Sequence, residues 1–193
     1  MPRALDLILA SLALLVLSPL LALAALLIKL ESRGAVFYRH RRVGRAGRPF
    51  ELWKLRTMVP GAEAMGAGIY IVPGDSRITR VGLKLRRFSL DELPNLVNVL
   101  LGEMAIVGPR PTVQEQVERY TERQLRRLEV KPGITGWAQV NGRTSLPWPE
   151  RIELDVWYVE HRSFLLDLRI LIRSLRMLAS GDGLYSEDPT QGW

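Results

Sequence analysis

Hydrophobic and polar positions change rhythm several times along the chain. From Leu7 to Ile28 there is no alternation: 22 consecutive positions hold only Leu, Ala, Ile, Val, Ser and Pro. As a helix this run would extend roughly 33 Å, enough to cross the hydrocarbon core of a bilayer. It is too long for a signal peptide, and Ala22-Leu23-Ala24 leads into further apolar residues rather than a polar mature start. Ser18-Pro19 falls at the midpoint, where the proline frees a carbonyl that a nearby hydroxyl can satisfy, so a bend is expected there. A kinked spanning helix and a re-entrant hairpin returning to the same face both fit. Arg3 before the run and Lys29 and Arg33 after it do not separate them.

A period of two follows. Val36-Phe37-Tyr38 and Pro49 to Leu55 flank a glycine-containing basic stretch, Arg42 to Arg48, which predicts a β-hairpin. Alternation puts Lys54 and Arg56 on one side, where they either reach a single phosphate together or form a solvated face. Residues 59 to 75, with several glycines, Pro60 and Pro73, read as a loop. Helical spacing returns near residues 77 to 88, capped by Asp75, with Arg80, Lys84 and Arg87 on one face suited to lipid headgroups.

Thr112 to Glu129 is charge-dense and opens with a T-x-x-E pattern, which predicts a solvated surface helix. Lys131 to Arg143 reads as a loop whose three glycines let backbone approach a ligand, with Trp137 packing in the core. Pro149 opens a helix to about Arg162, and Ser163 caps another to about Ala179. In the last helix Arg169, Arg173 and Arg176 share a face while leucines and isoleucines cover much of the rest, the pattern of an interfacial helix or of a core helix. Residues from Gly181 onward are expected to fray.

The chemistry concentrates between Ser89 and Pro111. Ser89 and Glu92 fit a capping box, with Asp91 and Glu92 in a first helical turn, although Pro94 must start the helix late or distort that turn. Successive helical residues point roughly 100° apart, so the two acids have different tasks. Arg110 lies between Pro109 and Pro111, whose fixed φ angles suit a guanidinium that must meet phosphate oxygens with little entropy left to lose.

Composition narrows the classes. A chain of 193 residues fits one folded unit, and the absence of cysteine excludes disulfides and thiolate metal sites. His40 and His161 are too few and too scattered for zinc, leaving a hard cation on oxygen ligands. The net charge is +7, and residues 32 to 58 alone hold eight basic groups against Glu51. A basic segment directly after an apolar one marks a surface for anionic lipid or phosphate esters. No nucleic-acid motif accompanies it, so nucleic acid is not an expected partner.

Taken together, several stretches resemble the bacterial sugar transferases, the monotopic polyprenyl-phosphate sugar-1-phosphate transferases, in a minimal catalytic form. The resemblance rests on Ser18-Pro19 within the apolar run, Trp53 to Met58, Asp75 to Arg80, Leu85 to Pro94, Val107 to Pro111 and Lys131 to Arg143, in the family's order. Glu103 stands where the family more often has Asp. The resemblance implies a mainly α fold with a small β-hairpin, a Pro-broken re-entrant helix within residues 1–30 and interfacial amphipathic helices. Residues 31–193 would then form a catalytic domain at the cytoplasmic face of the inner membrane, one compact unit with the anchor.

It also implies a reaction. Sugar-1-phosphate passes from a UDP-sugar to polyprenyl (undecaprenyl) phosphate with release of UMP, as the first membrane step of surface glycan assembly. Asp91 becomes the nucleophile, with Glu92 as Mg²⁺ ligand or base, and Asp91 and Glu92 as the metal pair. Lys54, Arg56, Arg86 and Arg110 would hold phosphates, and Arg143 would contact the donor. Asp91 is expected to be ionised at a helix N-terminus. The competing class is a membrane-anchored, non-catalytic binder of anionic lipid or nucleic acid. Oligomerisation is possible under either reading.

Overall fold

In a computed structural model, residues 1–66, 74–142 and 146–180 are described, with residues 179 and 180 as backbone only. The apolar run becomes one helix, α1 (Arg3–Glu31), with Pro19 inside it. Pro19 cannot donate to the carbonyl of Leu15, and the Ser18 hydroxyl donates to that oxygen instead at 2.8 Å. Leu12, Leu15, Val16, Leu23 and Leu26 are exposed along it. It is the one helix among the described residues long and apolar enough to cross a membrane, and little of it is buried. An outward apolar surface of this size associates with lipid rather than water.

Both ends of α1 are nonetheless tied to the body. Near its start Arg3 donates to the carbonyls of Val99 and Leu100 at 2.6 and 3.0 Å, and buried Asp6 accepts from the Ile106 amide at 3.1 Å. The Met1 ammonium pairs with Asp167. At its end Glu31 accepts from the amides of Arg80 and Val81 at 2.8 and 3.0 Å.

The hairpin forms as expected, with a longer first strand: β1 (Phe37–Val43) pairs antiparallel with β2 (Pro49–Leu55), Tyr38 opposite Lys54 and Arg42 opposite Phe50. Next come α2 (Arg80–Arg87), α3 (Asn95–Leu101) and β3 (Ala105–Val107). Two single-turn helices, α4 (Gln114–Val117) and α5 (Glu122–Leu125), precede β4 (Gly133–Thr135) and α6 (Trp137–Val140). Two longer helices follow, α7 (Trp148–His161) and α8 (Phe164–Ser180). The main core joins Phe50 and Leu52 of β2, Leu96 and Val99 of α3, Ile106 of β3, Tyr158 of α7, Ile170 of α8 and Ala10 of α1. A second cluster seats Ala24 and Ile28 of α1 on Leu55 and Leu85. α8 buries Ile170 and leaves Leu165, Leu168, Leu175 and Leu178 exposed, so it is part core helix and part outward apolar face.

Three expected elements differ. α2 starts at Arg80 because Thr79, not Asp75, accepts from the Gly82 amide at 2.9 Å, while Asp75 is taken by Arg77. The expected helix over 112–129 is broken into α4, α5 and a 3-10 turn at Arg126–Glu129. Thr112 is buried against Tyr120 and bonded to β1, so the capping box sits at Thr121 and Gln124. The expected loop over 131–143 contains β4, which pairs in parallel with β3, and α6. The expected loop over 59–75 and the fraying tail lie partly or wholly outside the described residues.

Candidate active site

Asp91 and Glu92 sit on a 3-10 turn, Leu90–Glu92, rather than in the first turn of an α-helix. Ser89 is left-handed at φ 54° and makes no side-chain cap, so the expected capping box is absent, and Pro94 delays α3 to Asn95. Glu92 turns instead toward cations. Its Oε1 accepts from Lys54 Nζ and Arg110 Nη2, each at 2.7 Å, and its Oε2 accepts from Arg110 Nη1 at 3.3 Å. Burial pushes the Glu92 carboxyl up, but the charges and hydrogen bonds of Arg110 and Lys54 overcome it and hold it well below the usual range.

Asp91 is treated differently. It is 8 % exposed, lines the large cavity, and among the described residues has no hydrogen-bond partner. Burial raises its carboxyl; Lys54 opposes, Glu92 adds to the rise, and Arg86 and Arg110 oppose further. The expectation of an ordinary, helix-stabilised carboxylate is therefore corrected to a strained one, because the turn supplies no cap and the cavity wall removes water.

Backbone packing delivers the cations. A Cβ on Gly133 would lie 2.1 Å from the Gly108 nitrogen and one on Gly136 2.1 Å from the Gly108 oxygen. These glycines let two chain segments interlock behind Pro109-Arg110-Pro111, so they serve backbone approach to backbone rather than to a ligand. Arg127, almost fully buried, donates to the Arg110 carbonyl at 3.0 Å and is itself paired with buried Asp155. A residue expected on a solvated helix thus holds Arg110 in place. Arg86 donates to Thr57 Oγ1 at 2.7 Å, and a Cβ on Gly82 would meet the Thr57 oxygen at 2.0 Å, so α2 is pressed against the end of β2.

Lys54, Arg86 and Arg110 are brought around the acids. Arg56 lines the same cavity, but its guanidinium donates to the carbonyls of Arg33 and Ser32 at 2.6 and 2.9 Å, closing the end of α1. Arg143 lies outside the described residues. Ser18 and Pro19 lie midway along α1, whose Leu9, Ala13 and Leu17 line the cavity. Sequence reading missed Arg42, which lines the same cavity from β1. Extending the hairpin register from Tyr38 opposite Lys54 would have placed it there.

The cavity measures about 1710 Å³ and joins two kinds of wall. Leu9, Ala13 and Leu17 of α1 and Leu171, Leu175 and Leu178 of α8 are apolar, whereas Lys54, Arg86, Arg110, Asp91 and Glu92 carry charge. Such a site can bring a greasy molecule with an anionic head to a carboxylate flanked by cations.

The bacterial sugar transferase model matches residues 1–181. The chain belongs to this family. Among curated members, an uncharacterized sugar transferase, EpsL, of Bacillus subtilis is 45% identical over 157 residues, covering 81% of this chain and 76% of that protein. The UDP-glucose:undecaprenyl-phosphate glucose-1-phosphate transferase of Caulobacter vibrioides is 41% identical over 194 residues, 95% of this chain and 71% of that protein. Its counterpart in Escherichia coli is 44% identical over 177 residues, 88% of this chain but 38% of that longer protein. As a bacterial sugar transferase, the chain has its charged wall at the motifs that carry the family resemblance, Trp53 to Met58, Leu85 to Pro94 and Val107 to Pro111.

Proposed function

We propose that this bacterial sugar transferase moves sugar-1-phosphate from a UDP-sugar to polyprenyl phosphate through a covalent intermediate on Asp91. One observation carries the reading. Glu92 is already neutralised by Lys54 and Arg110, whereas Asp91 beside it is buried, unpartnered and open to the cavity. A desolvated carboxylate without hydrogen bonds is a better nucleophile than a solvated one, and surrounding cations let it approach phosphorus.

In the first step an Asp91 carboxylate oxygen bonds to the β-phosphorus of the donor. The bond from that phosphorus to the bridging oxygen breaks, and its electron pair leaves with UMP. In the second step an oxygen of the lipid phosphate attacks the same phosphorus, and the Asp91 carboxylate departs with the acyl bond's electron pair. Lys54, Arg86 and Arg110 neutralise and orient the phosphates in both steps. For a hard cation such as Mg²⁺ the free ligand of the pair would be Asp91, since Lys54 and Arg110 hold both Glu92 oxygens and Glu92 would have to exchange one of them to join it. Bound there, Mg²⁺ would supply charge neutralisation on the diphosphate.

Topology belongs to the same proposal. A body that grips both Arg3 and Glu31 sits on one side of α1, which favours a helix that enters and leaves a single face of the inner membrane, the cytoplasmic one. External labelling of Met1 on intact cells would refute that arrangement.

The chemical test uses donor labelled in the sugar phosphate, without lipid acceptor. Label should appear on Asp91 and be discharged by polyprenyl phosphate, and Asp91→Asn should lose both the adduct and at least about a thousandfold in turnover. Full turnover by Asp91→Asn, with sequential rather than ping-pong kinetics, would replace the covalent route by direct displacement.

A further inference from the structure

Among the described residues Arg42 is a cation without a counterpart. Its neighbours on the same face of β1, Tyr38 and His40, line the cavity with it. Tyr38 is fixed by its hydroxyl on Glu63. The His40 imidazole is pulled down to about 4 by burial and by Arg42, so it is neutral at pH 7 and adds no charge. Among the described residues Arg42 makes no hydrogen bond or ion pair, and its Nε is buried with no acceptor. Burial, then repulsion from Arg110, pulls the guanidinium down to about 10, with Glu92 the main compensating charge. Glu92 is already spent on Lys54 and Arg110. Removing a guanidinium from water beside a second one, with its donors unused, costs free energy that an anionic ligand would restore.

The neighbouring charge points to the anion: Arg42 and Arg110 repel each other on the charged wall, and two guanidiniums together match the two phosphoryl groups of a diphosphate better than a single phosphate. The apolar wall from α1 and α8, suited to an isoprenoid tail, is built without β1. We propose that Arg42 anchors the diphosphate of the nucleotide donor, not the lipid phosphate. The assignment rests on the transferase reading and adds to it a residue that holds the donor beside Arg110. A guanidinium suits this because its fork meets two phosphate oxygens at once.

The test measures UDP binding to the full-length protein in lipid nanodiscs, together with thermal unfolding with and without UDP, for wild type, Arg42→Gln and Arg42→Lys. Arg42→Gln should bind UDP at least about tenfold more weakly, a loss of about 1.4 kcal/mol, and lose most of the thermal stabilisation UDP gives. Its unfolding midpoint without ligand should equal or exceed that of wild type, because a costly unpaired charge is gone. Arg42→Lys should fall between the two in UDP affinity, and the KM for polyprenyl phosphate in residual turnover should stay within about twofold. UDP affinity unchanged in Arg42→Gln overturns the assignment, as does a lowered ligand-free midpoint, which would make Arg42 a structural cation. A raised KM for the lipid with UDP binding intact also overturns it. If wild type binds UDP through Arg42 yet releases no UMP from any UDP-sugar, the anchor stands and the transferase reading fails.

Discussion

Two clusters of charge lie on either side of Arg110, and they are built on opposite plans. Behind it, buried Arg127 and Asp155 pair with each other, and Arg127 also donates to the Tyr120 hydroxyl and the Arg110 carbonyl. In front of it, Arg42, Lys54, Arg86 and Arg110 face Asp91 and Glu92, so four cations meet two carboxylates, one of them unpartnered. The rear cluster spends its charge within the protein. The front cluster holds an excess of positive charge that suits an anionic ligand. The difference separates charge that shapes the fold from charge reserved for substrate.

The largest contrast should come from removing one carboxylate in each cluster. Asp155→Asn leaves Arg127 buried without its counter-charge and should cost about 3–5 kcal/mol of stability, read by denaturant unfolding. Asp91→Asn should leave stability equal or higher. Folding raises the proton affinity of Asp91, so its ionisation at neutral pH works against the folded state, and an amide removes that cost. Equal destabilisation by both substitutions would abolish the distinction between the two clusters.

The same contrast explains what was legible beforehand. The front acids and Lys54, Arg86 and Arg110 could be found because three short motifs, Trp53 to Met58, Arg86 to Glu92 and Pro109 to Pro111, carry them. The hairpin was legible because strict alternation has few other uses. Arg127 was not, since a run with acids and bases at nearly every turn looks solvated, and nothing local shows that Tyr120 and Trp148 will cover it. The β3 and β4 pairing was equally hidden: three-residue strands have too few positions for a period, and their partners are set by the glycine interlock at Gly108. Arg56 does line the cavity, and backbone pairing runs on to it through Val36, but its guanidinium is held by the carbonyls of Ser32 and Arg33, which no local pattern shows. Arg42 was counted only as part of a basic surface, since its burial depends on a tertiary wall. Local patterns located the chemistry; the residues that hold it depended on contacts far apart in the chain.

A smaller effect probes the balance inside the front cluster. In the proposed mechanism Asp91 attacks phosphorus as the carboxylate, so turnover should fall as pH is lowered through its carboxyl's titration, above the ordinary aspartate range. Burial sets that rise, and Lys54 is the strongest group opposing it. Lys54→Met removes the opposition, so the proton is held more tightly and the acid limb of donor-only labelling should move to higher pH. Lys54→Arg keeps the charge and should leave the limb near its original place. Arg127→Met, though less stable, should also leave it there in the fraction that remains folded, because the rear cluster sets the position of Arg110 rather than the proton affinity of Asp91. A limb that stays fixed in Lys54→Met, or shifts to lower pH, would mean that Lys54 does not act on Asp91, and that the charge surplus around the nucleophile is held by Arg42, Arg86 and Arg110 alone.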